Sequence, residues 1–277
     1  MNKRVLTVQD ISCVGQCSLT VALPIISACG IETCVLPSAV LSTHTGGFKG
    51  YTFRDLTEDM PLIEKHWQQE NIKFSALYTG YLGSAKQIDY VKSLTQTCLE
   101  SDGKVIVDPA MADNGKLYVG FDLAFVEKMK ELCARADFLL PNLTEACLLT
   151  GDTYLETYDE KYVDGVLKKL SALCSNGATI VLTGIGYTSD KTGVVVYKNG
   201  EKFYYEHDKI AKGCHGTGDI YASAFVGALT KGKSPFEAAK ISADYTVECI
   251  LDTQNDPTHW CGARFENALP KLIEKLK

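Results

Sequence analysis

Short apolar and β-branched runs recur along the chain and predict its strands. They lie at residues 5–8, 33–36, 76–78, 105–107, 138–140, 180–182 and 194–197. Most segments between these runs have helical periodicity, and the one before Gly177 places five apolar residues on one helix face. These residues are Val163, Val166, Leu167, Leu170 and Leu173. Strands that alternate with helices in this way predict a three-layer α/β/α sandwich around a mainly parallel central sheet.

The chain has no internal repeat, low-complexity tract or linker rich in proline and serine, which predicts a single domain over residues 1–277. Near its end, Asn199-Gly200 predicts an antiparallel hairpin at residues 194–205. In folds with a parallel sheet, ligands bind beyond the carboxyl ends of the strands. Glycines and polar residues follow the predicted strands at Asp10, Gly15, Gly80, Gly83, Asp108, Asn142, Gly184 and Gly186.

Composition and charge narrow the classes of function. The 277 residues are 45% hydrophobic, enough for a buried core, and a formal net charge of −6 provides no basic surface for nucleic acid. No apolar run reaches the length of a membrane span, and the N-terminus lacks the apolar region of a signal peptide. The eleven cysteines form no CxxC pair, so we expect reduced thiols. We therefore expect a cytoplasmic protein that binds neither nucleic acid nor a membrane.

The run Gly-Cys-His-Gly-Thr-Gly-Asp at residues 213–219 precedes an apolar, alanine-rich stretch, which predicts a glycine turn that opens a helix. Free N–H groups at a helix N-terminus bind anions, and Gly216, Thr217 and Gly218 would let phosphate oxygens approach the backbone. Asp219 fits a base that accepts the proton of an attacking hydroxyl. An ordinary helix start, with Asp219 merely favourable in the first turn, explains the motif equally well.

Other nucleotide-binding motifs are missing from the sequence. There is no GxxxxGK[ST] loop and no protein-kinase signature. The GxGxxG pattern fails because Tyr221 stands in place of the third glycine. A dinucleotide-dependent enzyme is therefore disfavoured.

Two further segments carry carboxylates after predicted strands. Asp108 ends one strand, and Asp113 lies in the loop behind it. Carboxylates there suit Mg²⁺, which keeps several waters and bridges phosphates through one or two protein ligands, although a solvated turn is an equal alternative. Asn142 and Glu145 fit a helix N-cap and its reciprocal acid, a role that is compatible with holding a metal-bound water.

Together these segments resemble the ribokinase superfamily, and within it the vitamin kinases that act on pyridoxal and pyridoxamine. The resemblance covers nearly the whole chain and rests on five motifs in the family's order. They are Gly80-Tyr81-Leu82-Gly83-Ser84, Asp108-Pro109 with residues 113–118, Pro141-Asn142 with Glu145-Ala146, Leu182-Thr183-Gly184, and Gly216-Thr217-Gly218-Asp219. The resemblance implies a ribokinase-like fold and ATP-dependent phosphorylation of the 5'-hydroxymethyl group of pyridoxal, pyridoxamine or pyridoxine in vitamin B6 salvage.

The resemblance also implies roles for individual residues. Asp219 becomes the catalytic base, and residues 216–218 become the anion hole that contacts ATP. The remaining nucleotide-side residues are Asp108, Asp113 and Glu145 for Mg²⁺ and phosphate, and Asn142 and Thr183 for the nucleotide. The resemblance suggests a homodimer and leaves open whether a monovalent cation assists.

On the substrate side, residues 42–46 resemble the loop that contacts the pyridine ring, which makes Thr45 a hydrogen-bonding partner. Tyr81 corresponds to an aromatic residue beside the ring, where offset stacking suits a flat heteroaromatic. Sugar kinases of the superfamily insert a β lid after the first strand. Too few residues separate Val8 from a helix expected near Gly15 for such a lid, which favours a flat ring over a sugar.

Three departures from the pyridoxal kinase pattern leave alternatives open. Residues 9–12 read Gln-Asp-Ile-Ser where Ser-His is usual, Leu140 replaces a small residue, and Met111-Ala112 stands where Met-Gly is usual. Asp10 followed by Ser12 is nearer to hydroxymethylpyrimidine (phosphate) kinases of thiamine synthesis, although the glycine-rich segment expected next is absent. A non-catalytic small-molecule binder of the same fold is a third alternative, disfavoured by Asp219 because binding alone needs no base.

Two residues carry hypotheses of their own. Asp10 is a candidate substrate contact that would pair with a protonated ring nitrogen, and capping of the following turn explains it equally well. Cys214, two residues before the anion hole, is a candidate for reversible addition to the aldehyde of pyridoxal, although a small residue tolerated in a glycine loop is the simpler interpretation.

Overall fold

The structure is a computed structural model that describes residues 3–210, 213–254, 256 and 258–277. In chain order, its strands are β1 Arg4–Ser12, β2 Glu32–Leu41, β3 Phe53–Asp55, β4 Phe74–Thr79, β5 Leu99–Val107, β6 Ala112–Asp113, β7 Lys116–Leu117, β8 Phe138–Leu139, β9 Thr179–Ile185, β10 Lys191–Lys198 and β11 Glu201–Asp208. Its helices are α1 Leu19–Ala28, α2 Met60–Gln69, α3 Ala85–Thr97, α4 Leu123–Cys133, α5 Leu143–Thr150, α6 Glu160–Leu173, α7 Thr217–Thr230, α8 Pro235–Gln254 and α9 Leu269–Leu276, with a 3₁₀ turn at Glu266–Ala268.

Contacts between residues divide the chain into two compact units. The first comprises Met1–Gly103 and Ile210–Lys277, and the second comprises Lys104–Lys209. Strand β5 begins in the first unit and ends in the second. The expectation of a single domain over residues 1–277 stays a prediction.

The first unit contains strands in the order β4-β1-β2-β3. Strand β1 pairs in parallel with β2 and β4, and β3 is antiparallel to β2. Val5, Leu6 and Val8 of β1 are fully buried, because this strand lies inside the sheet and is covered on both faces. Helix α1 packs against β1 and β2 and contacts α7, which packs against α8.

The second unit contains strands in the order β5-β8-β9-β10-β11. The β5–β8 and β8–β9 pairs are parallel, and the β9–β10 and β10–β11 pairs are antiparallel. Asn199 (φ 52°) and Gly200 (φ 89°) form the turn between β10 and β11, which confirms the predicted hairpin. Strands β6 and β7 form a separate hairpin. Helix α6 buries Val163, Val166, Leu167 and Leu170, as its periodicity predicts.

The mixed α/β class with a mainly parallel sheet is confirmed, and each of the seven predicted runs lies in or overlaps a strand. The helix expected near Gly15 begins instead at Leu19, because β1 continues to Ser12 and residues 13–18 form a turn. Residues 13–18 contain no strand between β1 and α1. All eleven cysteines are free thiols.

Among the described residues, no helix combines the length and the apolar character that a membrane crossing requires.

Candidate active site

The carboxyl end of β1 is polar although it is buried. Gln9, Asp10 and Ser12 are at most 5% exposed, although the first half of the strand buries the apolar Val5, Leu6 and Val8. Asp10 and Ser12 lie on the same face because side chains alternate along a strand. The Ser12 hydroxyl donates to Asp10 Oδ2 at 3.0 Å. Buried polar side chains at the end of a parallel strand are typical of a ligand site in α/β folds.

Asp10 is held in an environment that favours neither charge state alone. Burial raises the pKa of Asp10, while hydrogen bonds from the Ser18 and Ser12 side chains and the nearby His44 oppose that rise. Each donated bond stabilises the ionised carboxylate. Asp10 is therefore a buried carboxyl group whose Oδ2 is already held by the Ser12 hydroxyl.

The glycine turn predicted at residues 216–218 is present and caps α7. Gly216 is the N-cap residue, with φ 77°. A Cβ at Gly216 would lie 1.7 Å from the backbone oxygen of Gln16, so both the conformation and the close approach require glycine. Thr217 and Gly218 follow in the first helical turn, where backbone N–H groups have no partner within the helix. The turn thus has the geometry of an anion-binding site.

Asp219 lies in the same first turn and is half-buried. Desolvation raises the pKa of Asp219 to about 6, and the nearby charge of Asp10 adds to the rise, while a hydrogen bond from the Ser18 N–H opposes it. A carboxylate with this pKa is ionised at neutral pH and is a better proton acceptor than an ordinary aspartate. Asp219 therefore fits the predicted base.

The predicted ring contacts lie in the same unit. Tyr81 follows β4 and is half-buried, and its pKa is raised by burial and then by the charge of Asp10, which places the two side chains in one neighbourhood. Thr45 lies in the loop after β2 and is exposed. Its neighbour His44 is buried and accepts a hydrogen bond at Nδ1 from the Gly46 N–H (3.0 Å). This leaves the proton on Nε2, which donates to the Cys261 carbonyl at 2.9 Å.

Aromatic contacts link the Thr45 loop to the glycine turn and to the C-terminal part of the chain. The ring of His44 lies 5.4 Å from that of His215, next to Gly216, and 5.0 Å from that of Phe48. Phe48 in turn contacts Trp260 with 4.5 Å between ring centroids. Trp260 and Cys261 therefore pack against the loop that carries Thr45.

In the second unit, a capping box organises the start of α5. The Asn142 side chain accepts from the Glu145 N–H (2.9 Å), and Glu145 Oε2 accepts from the Asn142 N–H (3.0 Å). Glu145 Oε1 also accepts from the N–H groups of Met111 and Ala112. Glu145 is 2% exposed, and burial raises its pKa. The predicted cap is confirmed, and it also fastens the segment that precedes β6 to the helix.

The other residues predicted to contact the nucleotide or Mg²⁺ also lie in the second unit. Thr183 of β9 pairs with Asn142 across a parallel bridge. Asp113 is exposed on β6, and its carboxylate accepts bonds from Asn114; its charge contributes to the raised pKa of Glu145. Asp108 is half-buried and accepts from the Ala110 N–H at 3.2 Å. These bonds show that Asp108 and Asp113 take part in the solvated turns expected from the sequence. Such bonds are compatible with a role in holding a ligand.

The residues predicted to hold Mg²⁺ carry suitable oxygen donors, but they do not form a complete set of protein ligands for the ion. Within residues 3–210, 213–254, 256 and 258–277, no three His, Cys, Asp or Glu side chains are grouped to hold a metal. Carboxylate oxygens suit Mg²⁺, which completes its shell with water and phosphate oxygens. Because Glu145 already accepts three backbone hydrogen bonds, it fits contact through a water better than direct ligation. The residues thus fit the ion, and Asp108 and Asp113 are the direct candidates.

The structure therefore gathers Asp10, Tyr81, residues 216–218 and Asp219 in the first unit, and Asn142, Glu145, Thr183 and Asp113 in the second. The sequence did not single out Ser18, which lowers the pKa of Asp219, or His215, whose ring lies 5.4 Å from that of His44. Ser12 was noted only as part of a motif. The spacing of two between Asp10 and Ser12 on a strand is a signal that would have paired them.

Comparisons with known proteins agree with the predicted resemblance. Residues 25–262 match the family described as phosphomethylpyrimidine kinase. Pyridoxal kinase of Arabidopsis thaliana is 27% identical over 256 residues, which cover 90% of this chain and 81% of the relative.

Two solved structures are similar over nearly the full length. The crystal structure of pyridoxal kinase from Lactobacillus plantarum has a TM-score of 0.91 and 30% identity, covering 99% of this chain and 98% of that one. A Bacteroides thetaiotaomicron protein, crystallised in an orthorhombic form with pyridoxal, has a TM-score of 0.91 and 32% identity, covering 98% and 96%. The ribokinase-like fold predicted from the motifs is thereby confirmed.

Proposed function

The chain belongs to the phosphomethylpyrimidine kinase family, and we propose that within this family it is a pyridoxal kinase that transfers the terminal phosphoryl group of ATP to the 5'-hydroxymethyl group of a B6 vitamer. The observation that carries this proposal is Asp219, a half-buried carboxylate with a raised pKa beside the glycine turn of α7 and near Asp10. A protein that only binds its ligand has no need of a base at an anion-binding turn. Similarity to pyridoxal kinases and to a protein crystallised with pyridoxal supports the choice of substrate.

The first unit supplies the groups for proton transfer. The vitamer's hydroxymethyl oxygen attacks the terminal phosphorus of ATP, its proton passes to the Asp219 carboxylate, and the bond from phosphorus to the bridging oxygen breaks to release ADP. The backbone N–H groups of Thr217 and Gly218 face the charge that develops on the transferring phosphoryl group. Tyr81 lies beside the pyridine ring of the vitamer, and Asp10 and Thr45 form hydrogen bonds with that ring.

The second unit supplies the nucleotide-side groups. Asn142 and Thr183 contact the nucleotide, and Asp108 and Asp113 would hold Mg²⁺, with Glu145 close enough to Asp113 to assist through a water. When bound, the ion neutralises charge on the phosphates of ATP. Glu145 keeps the Met111–Ala112 segment against α5, which fixes the position of Asp113 next to it. From the family resemblance we also propose that the protein is a homodimer and is cytoplasmic. Light scattering on a sizing column tests the homodimer.

A second function has specific support. The matching family is described by its phosphomethylpyrimidine kinases, and Asp10 with Ser12 resembles the first-strand motif of hydroxymethylpyrimidine kinases. Both substrates are flat heteroaromatic rings that carry a hydroxymethyl group, so the same base serves either reaction.

The deciding experiment is a coupled ADP-release assay with pyridoxal, pyridoxine, pyridoxamine and hydroxymethylpyrimidine, each at the same concentrations. We expect saturable ADP release with at least one B6 vitamer and a higher kcat/KM for it than for hydroxymethylpyrimidine. The opposite order would establish the thiamine-pathway function. Binding of these compounds without ADP release in the presence of ATP and Mg²⁺ would identify a non-catalytic binder.

A further inference from the structure

The short hairpin of β6 and β7 carries Asp113, the exposed carboxylate proposed to hold Mg²⁺. The hairpin has two residue pairs and a two-residue turn, in which Asn114 (φ 49°) and Gly115 (φ 75°) both have left-handed backbone conformations. A two-stranded hairpin on its own is at best marginally stable in water. The position of the Asp113 carboxylate therefore depends on what the hairpin is attached to.

Helix α5 holds this hairpin at two points, one on each side of Asp113. Asn142 Nδ2 donates to the carbonyl of Ala112, the residue before Asp113, at 2.8 Å. Thr144 Oγ1 accepts from the N–H of Gly115, two residues after Asp113, at 2.9 Å. Thr144 is 3% exposed and lies in the first turn of α5. The segment that contains Asp113 is therefore bonded on both sides to the start of one helix.

Tyr154 encloses the turn from a second direction. A Cβ at Gly115 would lie 2.8 Å from Tyr154 Cδ1, so the ring packs directly against the backbone of the turn. The positive φ of Gly115 favours glycine as well. The ring limits how far the turn can move, and the Thr144 hydroxyl supplies the acceptor for its N–H.

Capping of α5 does not account for the Thr144 hydroxyl. The capping box of Asn142 and Glu145 already satisfies the helix start, and the hydroxyl bonds the hairpin instead. We propose that Thr144 is a positioning residue whose hydroxyl, by holding Gly115, orients the Asp113 carboxylate toward the Mg²⁺ that accompanies the nucleotide. This inference rests on the proposed function and on the metal role of Asp113 within it.

The role has a consequence that separates it from a general loss of structure. Mg²⁺ requires near-ideal octahedral geometry, so a carboxylate that is present but displaced binds it poorly. Loss of the Thr144 hydroxyl should therefore weaken the binding of a nucleotide only when Mg²⁺ is present. The groups proposed for the vitamer lie in the first unit, so KM for pyridoxal should not change.

The test compares Thr144→Val, which removes the hydroxyl at nearly constant volume, with Thr144→Ser, which keeps it. Titration calorimetry measures the binding of ADP with and without Mg²⁺. Because the Gly115 N–H loses its acceptor, we expect the Kd of ADP with Mg²⁺ to rise roughly tenfold in Thr144→Val. Without Mg²⁺ the Kd should stay within about twofold of wild type, and Thr144→Ser should restore binding to within about threefold.

Thr179→Val is the matched control. Thr179 is a buried threonine of the same unit, and its hydroxyl has no hydrogen-bond partner among the described residues. The same substitution there should leave the Kd of ADP unchanged with and without Mg²⁺. An equal loss of affinity in both variants would overturn the inference, since the effect would then not depend on the bond to Gly115.

A double-mutant cycle with Asp113→Asn tests whether Thr144 acts through that carboxylate. If it does, Thr144→Val should add less than about twofold to the loss that Asp113→Asn causes in the presence of Mg²⁺. Additive losses, or a loss in Thr144→Val that is the same without Mg²⁺, would overturn the inference and leave the proposed function intact. A wild-type protein that releases no ADP with any vitamer would instead overturn the proposed function.

Amide hydrogen exchange in the wild-type protein gives a readout that requires no variant. Gly115 and Gly120 are both exposed glycines with positive φ in the second unit. The bond to Thr144 should make the Gly115 amide exchange at least about tenfold more slowly than that of Gly120. Equal rates would mean that Thr144 does not hold the turn, and the inference would fail.

Discussion

Each of the two units places an acidic side chain in the first turn of a helix, and the two carboxylates differ in what surrounds them. Glu145 of α5 is 2% exposed and accepts backbone hydrogen bonds from Asn142, Met111 and Ala112. Asp219 of α7 is half-buried and is bonded by the Ser18 N–H, with the charge of Asp10 nearby. Desolvation raises the pKa of both.

This difference in bound donors indicates that Glu145 is a structural carboxylate and that Asp219 is one able to take part in proton transfer. The oxygens of Glu145 are occupied by donors that belong to the fold, so its removal would leave three N–H groups without an acceptor. Asp219 has an accessible side and little structural bonding, so it can exchange a proton with a ligand. A raised pKa alone does not distinguish these cases, whereas the number of fixed donors does.

Asp219→Asn should have the largest effect on activity. Loss of the base should reduce kcat by ~10²- to 10⁴-fold, with binding of ATP almost unchanged. Steady-state ADP release and titration calorimetry with ATP measure the two quantities. A loss of less than about tenfold would place the base elsewhere and remove the contrast with Glu145.

Glu145→Ala should instead have its main effect on folding. Three buried N–H groups lose their acceptor at about 1 kcal/mol or more each, so we expect a loss of about 3 kcal/mol in the free energy of unfolding, measured by urea denaturation. Glu127→Ala is the control, because Glu127 is an exposed acid of the same unit that pairs with Lys130 on the surface. An unchanged urea midpoint for Glu145→Ala, together with abolished turnover, would contradict the structural assignment.

The sequence predicts most of the fold because apolar runs and helical periodicity report burial directly. Each predicted run falls in or overlaps a strand, and the hairpin follows from Asn199-Gly200. The β3, β6 and β7 strands were not predicted, since they are only two or three residues long and have no hydrophobic pattern. The predicted start of α1, near Gly15, is four residues too early. The turn at residues 13–18 ends at Ser18, and neither glycine nor proline marks that end in the sequence.

The site is predictable where a motif coincides with local structure. Asp219, its glycine turn and the Asn142–Glu145 cap follow from local patterns of helix starts. The partners of these residues come from distant parts of the chain, and a single sequence gives no sign of them. Ser18 reaches Asp219 across about 200 residues of sequence, and its strained φ is a property of the folded backbone alone.

The pH dependence of stability gives a sharper test of Glu145. Its pKa is raised to about 7 in the folded protein, above the usual value of 4.5, so the folded state retains a proton that the unfolded state has lost. Stability contributed by this site therefore falls as pH rises from about 4.5 to 7. Glu145→Gln cannot ionise, so its stability relative to wild type should improve between pH 5 and pH 8 by on the order of 2 kcal/mol. If the urea midpoints of wild type and Glu145→Gln differed by the same amount at pH 5 and pH 8, the pKa of Glu145 would not be raised by folding.

The smallest expected effect concerns the charge that Asp10 exerts on Asp219. Since Asp219 must be ionised to accept a proton, kcat should fall as pH drops through its pKa of about 6. The charge of Asp10 contributes to that raised value, so Asp10→Asn should move this acid limb to lower pH. A profile of kcat against pH at saturating substrate measures the shift, and KM for pyridoxal from the same data reports ring recognition. An acid limb that stays in place would mean that Asp10 does not influence the base, and an unchanged KM would remove Asp10 from the substrate site.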